Sequence, residues 1–258
     1  MSYPDLKITF LGTGTSSGVP MIGCDCAVCS STEKKNKRLR SSILVESANT
    51  TLVVDTTPDF RYQMLRTNVK KLDAVIFTHP HKDHIAGLDD IRAYNFFSRL
   101  PMQIFANEIT EEALRREFFY VFAEKKYPGI PKMNIQTISS EAFIVGDISV
   151  IPISVQHLNM PVLGFRFGKF SYITDANKID ESEKQKIIGS EILVLNALRK
   201  ETHISHFTLD EGVTLANELQ IPTAYFTHIS HHMGLHEDVN RNLPANRQLA
   251  FDGQIIEL

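Results

Sequence analysis

The sequence has no tryptophan, only three cysteines and no apolar run that approaches the length of about 18 residues needed for a membrane span. The chain starts without a basic stretch ahead of an apolar one, so we expect no secretory signal and predict a cytoplasmic protein. Neither charge sign dominates: 27 Lys and Arg residues stand against 30 Asp and Glu residues. This balance argues against a dedicated nucleic-acid binder. With 258 residues, 43% of them hydrophobic, the chain can bury a substantial core and is neither disordered nor fibrous.

Short runs rich in Val, Ile and Leu recur along the chain between turn residues and predict strands. These runs lie at 6–12, 41–47, 50–56, 73–79, 143–154, 163–168, 170–175, 191–197 and 223–228. Helical periodicity is present at 58–67, 110–122 and 208–219, the last behind an N-cap at Thr208. Strands come first in each half and helices follow, which favours an α/β fold of two face-to-face sheets with helices outside. No repeat or flexible linker is visible, so we predict one domain over residues 1–258.

The segment 92–131 is unusually aromatic and ends in the breaker sequence PGIP at 128–131. Ordinary core packing with a loop is the simpler interpretation. A substrate lid or a dimer contact is the alternative, and the sequence does not decide between them.

The strongest chemical signal is the motif HPHKDH at 79–84, which directly follows a predicted strand. Imidazoles and carboxylates are ligands that suit zinc and similar divalent ions. His79 and His81 are spaced to bind one ion, while Asp83 and His84 can reach a second. A hydrogen-bonded histidine loop without metal is the alternative interpretation.

Four ligands cannot complete two ions, so further ligands must come from elsewhere. His157, Asp175 and His228 each follow a β-type run, as expected if strand ends converge on one site. A single histidine in such a place is more often structural. Together with the loop, however, the three residues make two sensible coordination spheres, with Asp175 placed to bridge them.

All three cysteines, Cys24, Cys26 and Cys29, fall within six residues. An odd number cannot pair off completely in disulfides, and without an export signal a metal site is the better interpretation. Three thiolates need one more ligand to close a tetrahedral structural zinc site in the loop 19–40. A reduced cluster without metal and a redox sensor are the alternatives.

Three further features carry weaker interpretations. The glycine-rich stretch 12–18 lacks the lysine of a phosphate-binding loop, so we expect a tight turn beside the metal site. A basic run is either solvated or steers an anionic substrate, and it comprises Lys34, Lys35, Lys37, Arg38 and Arg40. Surface exposure is the default expectation for the histidines without a predicted role, which are His203, His232 and His236.

The His-x-His-x-Asp-His motif with the later ligand-type residues resembles the metallo-β-lactamase-fold hydrolases, over positions 8 to about 231. The resemblance implies a four-layer αββα sandwich with a dinuclear metal site at one edge. It further implies that Asp55, which ends TTLVVD, orients the metal loop. The implied ligands are His79, His81 and His157 for one ion and Asp83, His84 and His228 for the other, with Asp175 bridging.

The stretch FLGTGTSSGVP at 10–20, followed by the cysteines, is similar to the phosphoribosyl cyclic phosphate phosphodiesterases, which are related to ribonuclease Z. This resemblance implies His231 as the fourth ligand of the structural zinc. It also implies that His206 contacts the scissile phosphate and protonates the leaving group, although His206 could equally cap the following helix. A small phosphate-ester substrate and a homodimer are further implications.

The sequence thus predicts a metal-dependent hydrolase with two catalytic ions (Zn²⁺ or Mn²⁺) and one structural Zn²⁺. The resemblance narrows the reaction to the opening of a cyclic phosphate ester by a water activated between the two ions, with Asp83 and His206 as the catalytic side chains. The residues alone support only metal-assisted hydrolysis. Alternatives are a thioester or lactone hydrolase, an RNA 3′-end-processing nuclease, for which no basic arm is visible, and a non-catalytic metal-binding module.

Overall fold

A computed structural model describes residues 4–125 and 127–258. The strands are β1 (Lys7–Gly12), β2 (Ser42–Glu46), β3 (Thr51–Val54), β4 (Ala74–Ile76), β5 (Met102–Ala106), β6 (Met133–Thr137), β7 (Phe143–Val145), β8 (Ile148–His157), β9 (Met160–Phe167), β10 (Phe170–Ile173), β11 (Ile192–Asn196), β12 (Thr223–Thr227), β13 (Arg247–Leu249) and β14 (Ile255–Glu257). The helices are α1 (Ala27–Ser30), α2 (Phe60–Arg66), α3 (Lys82–Ile85), α4 (Arg92–Ser98), α5 (Glu108–Glu117), α6 (Phe119–Phe122), α7 (Glu181–Ile187), α8 (Leu209–Glu218) and α9 (His236–Asn242). Within these described ranges, no helix combines the length and apolarity that a membrane crossing requires.

The strands form two seven-stranded mixed sheets. The first has the order β14-β1-β2-β3-β4-β5-β6, and the second has the order β13-β12-β11-β10-β9-β8-β7. The pairs from β3 to β6 and from β10 to β13 are parallel, and the others are antiparallel. With helices on both outer faces, this is the predicted αββα sandwich, and the predicted fold class is confirmed.

Three apolar layers hold the sandwich together. Phe10, Phe165 and Tyr172 belong to the layer between the two sheets. A second layer joins the first sheet to α2, α3, α5 and α6, and a third joins the second sheet to α7, α8 and α9. Successive side chains of a strand point to opposite faces of the sheet. In β3, Val54 therefore packs in the central layer and Val53 in the outer layer. Because both faces are buried, these strands read as nearly continuous apolar runs.

The predicted helix at 208–219 begins as expected. The Thr208 hydroxyl accepts from the Glu211 backbone N–H, and the Glu211 carboxylate accepts from the Thr208 backbone N–H, which forms a capping box. The predicted helix at 110–122 begins earlier instead, because the Asn107 side chain accepts from the backbone N–H of Thr110. It is also interrupted at Phe118, which separates α5 from α6.

The aromatic segment 92–131 contributes to the core. It contains β5, an internal strand that pairs in parallel with β4 and β6 and that sequence analysis missed. Phe105 and Phe118 are buried, whereas the exposed aromatic residues of the segment are Phe96, Phe97, Phe119 and Tyr127. Core packing therefore accounts for part of the segment, and its interpretation as a lid or dimer contact stays a prediction.

Candidate metal centres

The predicted metal loop leaves the first sheet after β4 and turns directly into α3. His81 is the N-cap of α3, so Asp83 and His84 lie in its first turn. This tight turn brings the rings of His79 and His84 to a centroid distance of 4.1 Å. It also places His79 Nε2 3.1 Å from His81 Nδ1. His79 and His84 are buried, whereas His81 is exposed.

Three strand ends supply the remaining acidic and imidazole groups. Asp55 follows β3, Asp175 lies beyond β10 and His228 follows β12, with φ angles of 66°, 52° and 56° respectively. Residues other than glycine adopt this left-handed conformation rarely, and it concentrates at functional sites. Each of the three residues therefore combines an unfavourable backbone conformation with a buried polar side chain.

Asp55 orients the metal loop, as the resemblance implied. Its carboxylate accepts hydrogen bonds from the Thr78 backbone N–H at 2.9 Å and the Thr78 hydroxyl at 2.8 Å. The same carboxylate lies 2.7 Å from His84 Nδ1. This contact leaves His84 Nε2 directed towards the other site residues.

The structure brings all of the predicted active-site ligands together. His84 Nε2 lies 3.2 Å from an Asp83 carboxylate oxygen and 3.1 Å from an Asp175 oxygen. His228 Nδ1 lies 3.2 Å from that same Asp175 oxygen. His157 Nδ1 donates to the Ser205 carbonyl at 2.8 Å, which leaves its Nε2 as the free ligand atom.

The ligand atoms fall into three groups, each within 4.8 Å: His79, His84 and Asp175; Asp83, His84 and His228; and His157, Asp175 and His206. The second group matches the predicted set for one ion. The set of His79, His81 and His157 does not appear as such a group among the described residues. The division of ligands between two ions therefore stays a prediction.

A divalent ion fits this donor set. Among the residues that the structure describes, His84 Nε2 and His206 Nδ1 are buried without a hydrogen-bond partner. Such orphaned ring nitrogens are rare in protein interiors and require an explanation. Both are directed at buried carboxylate oxygens, and a cation between nitrogen and oxygen ligands would satisfy both types of group.

At His84 and Asp175, burial and the charges of neighbouring groups shift the pKa in opposite directions. Burial alone would lower the pKa of His84, but neighbouring carboxylates, Asp83 first, raise it well above the ordinary value. Burial would raise the pKa of Asp175, but the charges of His228 and His84 hold it well below its usual range. At His79 burial dominates and lowers the pKa. Neutral imidazoles and ionised carboxylates bind metals, so His79 and Asp175 are in the binding state, whereas His84 would exchange its proton for the bound ion.

His206 lies inside the cluster. Its ring centroid is 4.6 Å from that of His157 and 4.9 Å from that of His228. Burial lowers the pKa of His206 to about 3, so the imidazole is neutral at pH 7 and is a poor source of a proton. The alternative interpretation as a helix cap is wrong, because Thr208 caps α8. The predicted contact between His206 and the scissile phosphate stays a prediction.

The cysteine loop forms a second candidate centre. The sulfurs of Cys24 and Cys26 lie 3.4 Å and 3.3 Å from His231 Nδ1. Together with Cys29 they form a group of four ligand atoms within 4.8 Å of one another. The Cys29 backbone N–H and then His231 lower the pKa of Cys26 to about 6. Three sulfurs and one imidazole are a standard donor set for structural zinc.

The glycine-rich stretch 12–18 turns beside the first centre, as predicted. Gly14 makes a β-bridge to Ile229, and the Thr15 hydroxyl lies 3.2 Å from His228 Nε2. The same stretch contacts the basic run, because the buried guanidinium of Arg38 donates to the Thr13 hydroxyl at 2.8 Å.

Two predictions of surface exposure are wrong, one for Arg38 and one for His236. Arg38 is buried, and its guanidinium lies 3.0 Å from Nδ1 of His236, which is also buried. Sequence analysis placed His236 on the surface because its partner is distant in the chain. Other members of the basic run are also engaged in contacts, since Arg40 pairs with Asp59 and Lys35 pairs with Glu237. Arg38 is therefore not solvated, and the interpretation that the basic run steers an anionic substrate stays a prediction.

Comparison with known proteins agrees with this geometry. Residues 50–229 match the beta-lactamase superfamily domain. The chain is 34% identical over 251 residues to an octanoyltransferase of Porphyromonas gingivalis, covering 96% of this chain and 51% of that protein. It thus spans about half the length of this curated relative.

Two solved structures are informative. One is described as a new diphosphatase from the PhnP family: it is 42% identical, has a TM-score of 0.93, and the match covers 98% of this chain and 97% of that one. The other is the short form of human tRNase Z, with 17% identity, a TM-score of 0.70 and coverage of 97% and 98%. The second likeness shows the fold alone. The chain therefore belongs to the beta-lactamase superfamily and has the fold of the metallo-β-lactamase hydrolases.

Proposed function

We propose that this protein is a metal-dependent phosphoric diester hydrolase that opens a small cyclic phosphate ester. The observation that carries the proposal is the convergence of the HPHKDH loop with three strand ends on one buried set of imidazoles and carboxylates. A separate centre of three cysteines and one histidine also supports it, since the sequence resemblance implied both centres. The 42% identity to a structure described as a PhnP-family diphosphatase favours chemistry at phosphorus.

In this proposal His79, His81 and His157 hold one divalent ion, and Asp83, His84 and His228 hold the other, with Asp175 shared. Zinc and manganese both suit these ligands. When bound, such a pair lowers the pKa of a water molecule towards neutrality and neutralises charge on phosphoryl oxygens.

The chain's own residues prepare this chemistry. Asp55 fixes the His84 ring through Nδ1, and the Ser205 carbonyl fixes the His157 ring in the same way. These outer partners set which nitrogen is available as a ligand. His206, neutral and buried next to Asp175, donates a hydrogen bond to a phosphoryl oxygen of the substrate.

The second centre holds one Zn²⁺ through Cys24, Cys26, Cys29 and His231. Its role is structural, because His231 lies only three residues beyond His228. A zinc ion there braces the segment that presents an active-site ligand. A reduced, metal-free cysteine cluster would leave this segment held by weaker contacts.

Hydrolysis of a diphosphate linkage is a second candidate, favoured by the description of the 42%-identical structure. Both reactions place attack at phosphorus and make the same demands on the ligand set. A thioester or lactone hydrolase would use the same metal loop, but it would not explain the 42% identity to a structure described as a PhnP-family diphosphatase. An RNA 3′-end-processing nuclease is supported only by the similarity in fold to human tRNase Z.

The test combines metal content with a substrate panel. Elemental analysis of the purified protein should give about three metal ions per chain, as the two centres imply. The panel contains bis(p-nitrophenyl) phosphate, a nucleoside 2′,3′-cyclic phosphate, a diphosphate diester, a thioester and a lactone. We expect cleavage of the cyclic phosphate, abolished by a chelator and restored by Zn²⁺ or Mn²⁺.

Two matched variants separate a catalytic role from a structural one. Asp83→Asn removes a proposed ligand and should lower activity about a hundredfold or more. Asp238→Asn changes an exposed aspartate of α9 and should leave activity unchanged. A protein that holds three metals but cleaves only the thioester or lactone would overturn the phosphodiesterase proposal.

A further inference from the structure

The carboxylate of Asp175 faces both sides of the candidate active site. One of its oxygens lies 3.1 Å from His84 Nε2 and 3.2 Å from His228 Nδ1. The other oxygen lies 3.8 Å from His206 Nδ1, on the side of the site where His157 also lies. A carboxylate that is shared by two ions has to keep its oxygens in a fixed direction, so the orientation of Asp175 matters to both ions.

The backbone at Asp175 does not hold this orientation by itself. Its φ of 52° is in the left-handed region, which costs free energy for a residue other than glycine. Asp175 also lies beyond the end of β10, where the pairing of that strand with β9 and β11 has stopped. Such a conformation persists only where the surrounding structure over-determines it, so neighbouring contacts must supply the restraint.

The restraint comes from Asn196, the last residue of β11. Its side-chain carbonyl accepts from the Ala176 backbone N–H at 2.9 Å, and its amide nitrogen donates to the Ala176 carbonyl at 2.9 Å. Only one orientation of the amide satisfies both contacts. Asn196 and Ala176 are both completely buried, which shields the two bonds from solvent. Asn196 therefore holds the peptide group that directly follows Asp175 and the next one along the chain.

The same Ala176 carbonyl also holds the loop that carries His206. It accepts from the Phe207 backbone N–H at 2.8 Å, and the Phe207 carbonyl in turn accepts from the Leu198 backbone N–H at 3.0 Å. The end of β11 thus reaches the residue next to His206 from two directions. Asn196 fixes the carbonyl through which one of these contacts passes.

We propose that Asn196 is a positioning residue for the candidate metal centre, which sets the direction of the Asp175 carboxylate through its two bonds to Ala176. Because the Ala176 carbonyl also binds Phe207, the same side chain keeps His206 in place beside that carboxylate. The inference rests on the proposed function, because only there is Asp175 shared between two ions. An asparagine with a purely structural role would stabilise the fold without changing how the ions are held.

The test measures how the ions are held, with Co²⁺ as the probe. The metal-loaded protein is treated with a chelator that removes the ions of the His and Asp centre, and Co²⁺ is then titrated back. Asn196→Leu keeps the branched shape of the side chain but makes neither bond to Ala176. We expect its Co²⁺ affinity to fall about tenfold to a hundredfold, as for other residues that orient metal ligands. The visible absorption bands of the bound Co²⁺, which report the ligand geometry, should change as well.

Three further variants sharpen the result. Ser190→Ala removes a buried hydrogen bond of 2.8 Å to Ser171 at the other end of β11, so it tests destabilisation alone and should leave the Co²⁺ affinity and spectrum unchanged. Asn196→Asp carries a carboxyl group that burial keeps protonated, which lets it both donate and accept, and it should recover part of the affinity. Asn196→Ser is too short for both bonds and takes the place of Asn196→Leu if that protein does not fold.

The outcomes are separable. An unchanged Co²⁺ affinity and spectrum in folded Asn196→Leu or Asn196→Ser would overturn the positioning role, and so would an equal loss in Ser190→Ala. If the wild type binds Co²⁺ and responds to substitution of Asn196 but does not cleave the cyclic phosphate, the positioning role stands and the proposed substrate class fails. A wild type that binds no Co²⁺ at this centre would overturn both.

Discussion

The buried contact between Arg38 and His236 predicts a specific acid sensitivity. His236 Nδ1 lies 3.0 Å from an Arg38 guanidinium nitrogen, and His236 is only 1% exposed. Burial, and then the charges of Arg38 and Lys35, lower the pKa of His236 to about 4. Protonation of this imidazole in the folded state would place a second cation beside a buried guanidinium and remove its acceptor.

The sign of the effect follows from the lowered pKa. The unfolded chain protonates His236 near its ordinary pKa of about 6.5, whereas the folded chain resists protonation until about pH 4. Stability contributed by this residue is therefore fully present above the unfolded pKa and is lost as pH falls towards the folded value. At pH 5 the loss amounts to about 2 kcal/mol, or roughly 4–8 °C in Tm for a chain of this size.

The assay compares how the unfolding temperature of each variant changes with pH, because other groups also titrate in this range. Unfolding temperatures of wild type and His236→Asn are measured at pH 7.5 and pH 5, with His232→Asn as the exposed control. The gap between wild type and His236→Asn should narrow by about 2 kcal/mol at the lower pH, since asparagine does not titrate. A gap that stays constant, or that narrows equally for His232→Asn, would refute the reasoning.

Three more predictions follow from the two candidate centres and the core. Asp55→Asn removes the charge that orients His84 and should weaken metal binding by about tenfold to a hundredfold, measured by competition with a chelator; unchanged affinity would contradict the role of Asp55. Cys26→Ser should reduce the metal content from about three ions per chain to about two and also lower diesterase activity. Two ions in both proteins would rule out the structural zinc. The Tyr172 hydroxyl is buried without a partner among the described residues, and such a group costs about 1–3 kcal/mol. Tyr172→Phe should therefore keep or raise Tm, and a marked fall would show that the hydroxyl is engaged.

Sequence reasoning was most successful where local pattern and chemistry coincide. Strands buried on both faces form continuous apolar runs, and Asp55, Asp175 and His228 are recognisable because a polar residue ends each run. The Thr208 cap was predictable because its partner Glu211 is three residues away. In each case the residues that reveal the structure lie close to one another in the sequence.

The errors arose where the deciding contact is distant in the chain. His236 seemed an ordinary surface histidine, since nothing near it reveals that Arg38 covers it from 198 positions away. The internal strand β5 was missed because the aromatic segment 92–131 was interpreted as core packing with a loop, and only the pairing of β5 with β4 and β6 makes it a strand. The helix predicted to start at 110 starts earlier, because the side chain of Asn107, three residues before that position, accepts the capping hydrogen bond.

The five residues 227–231 carry a ligand for each of the two proposed centres, His228 and His231. The centres differ in chemical softness, because sulfur donors favour zinc while imidazole and carboxylate accept several divalent ions. In the proposed function, metal loading would be hierarchical, because the thiolate site would set the shape of a segment that the other site needs. A cell short of zinc would produce a protein that manganese cannot fully activate, however abundant the manganese. Zinc supply would then limit a reaction in which the thiolate-bound ion takes no direct part.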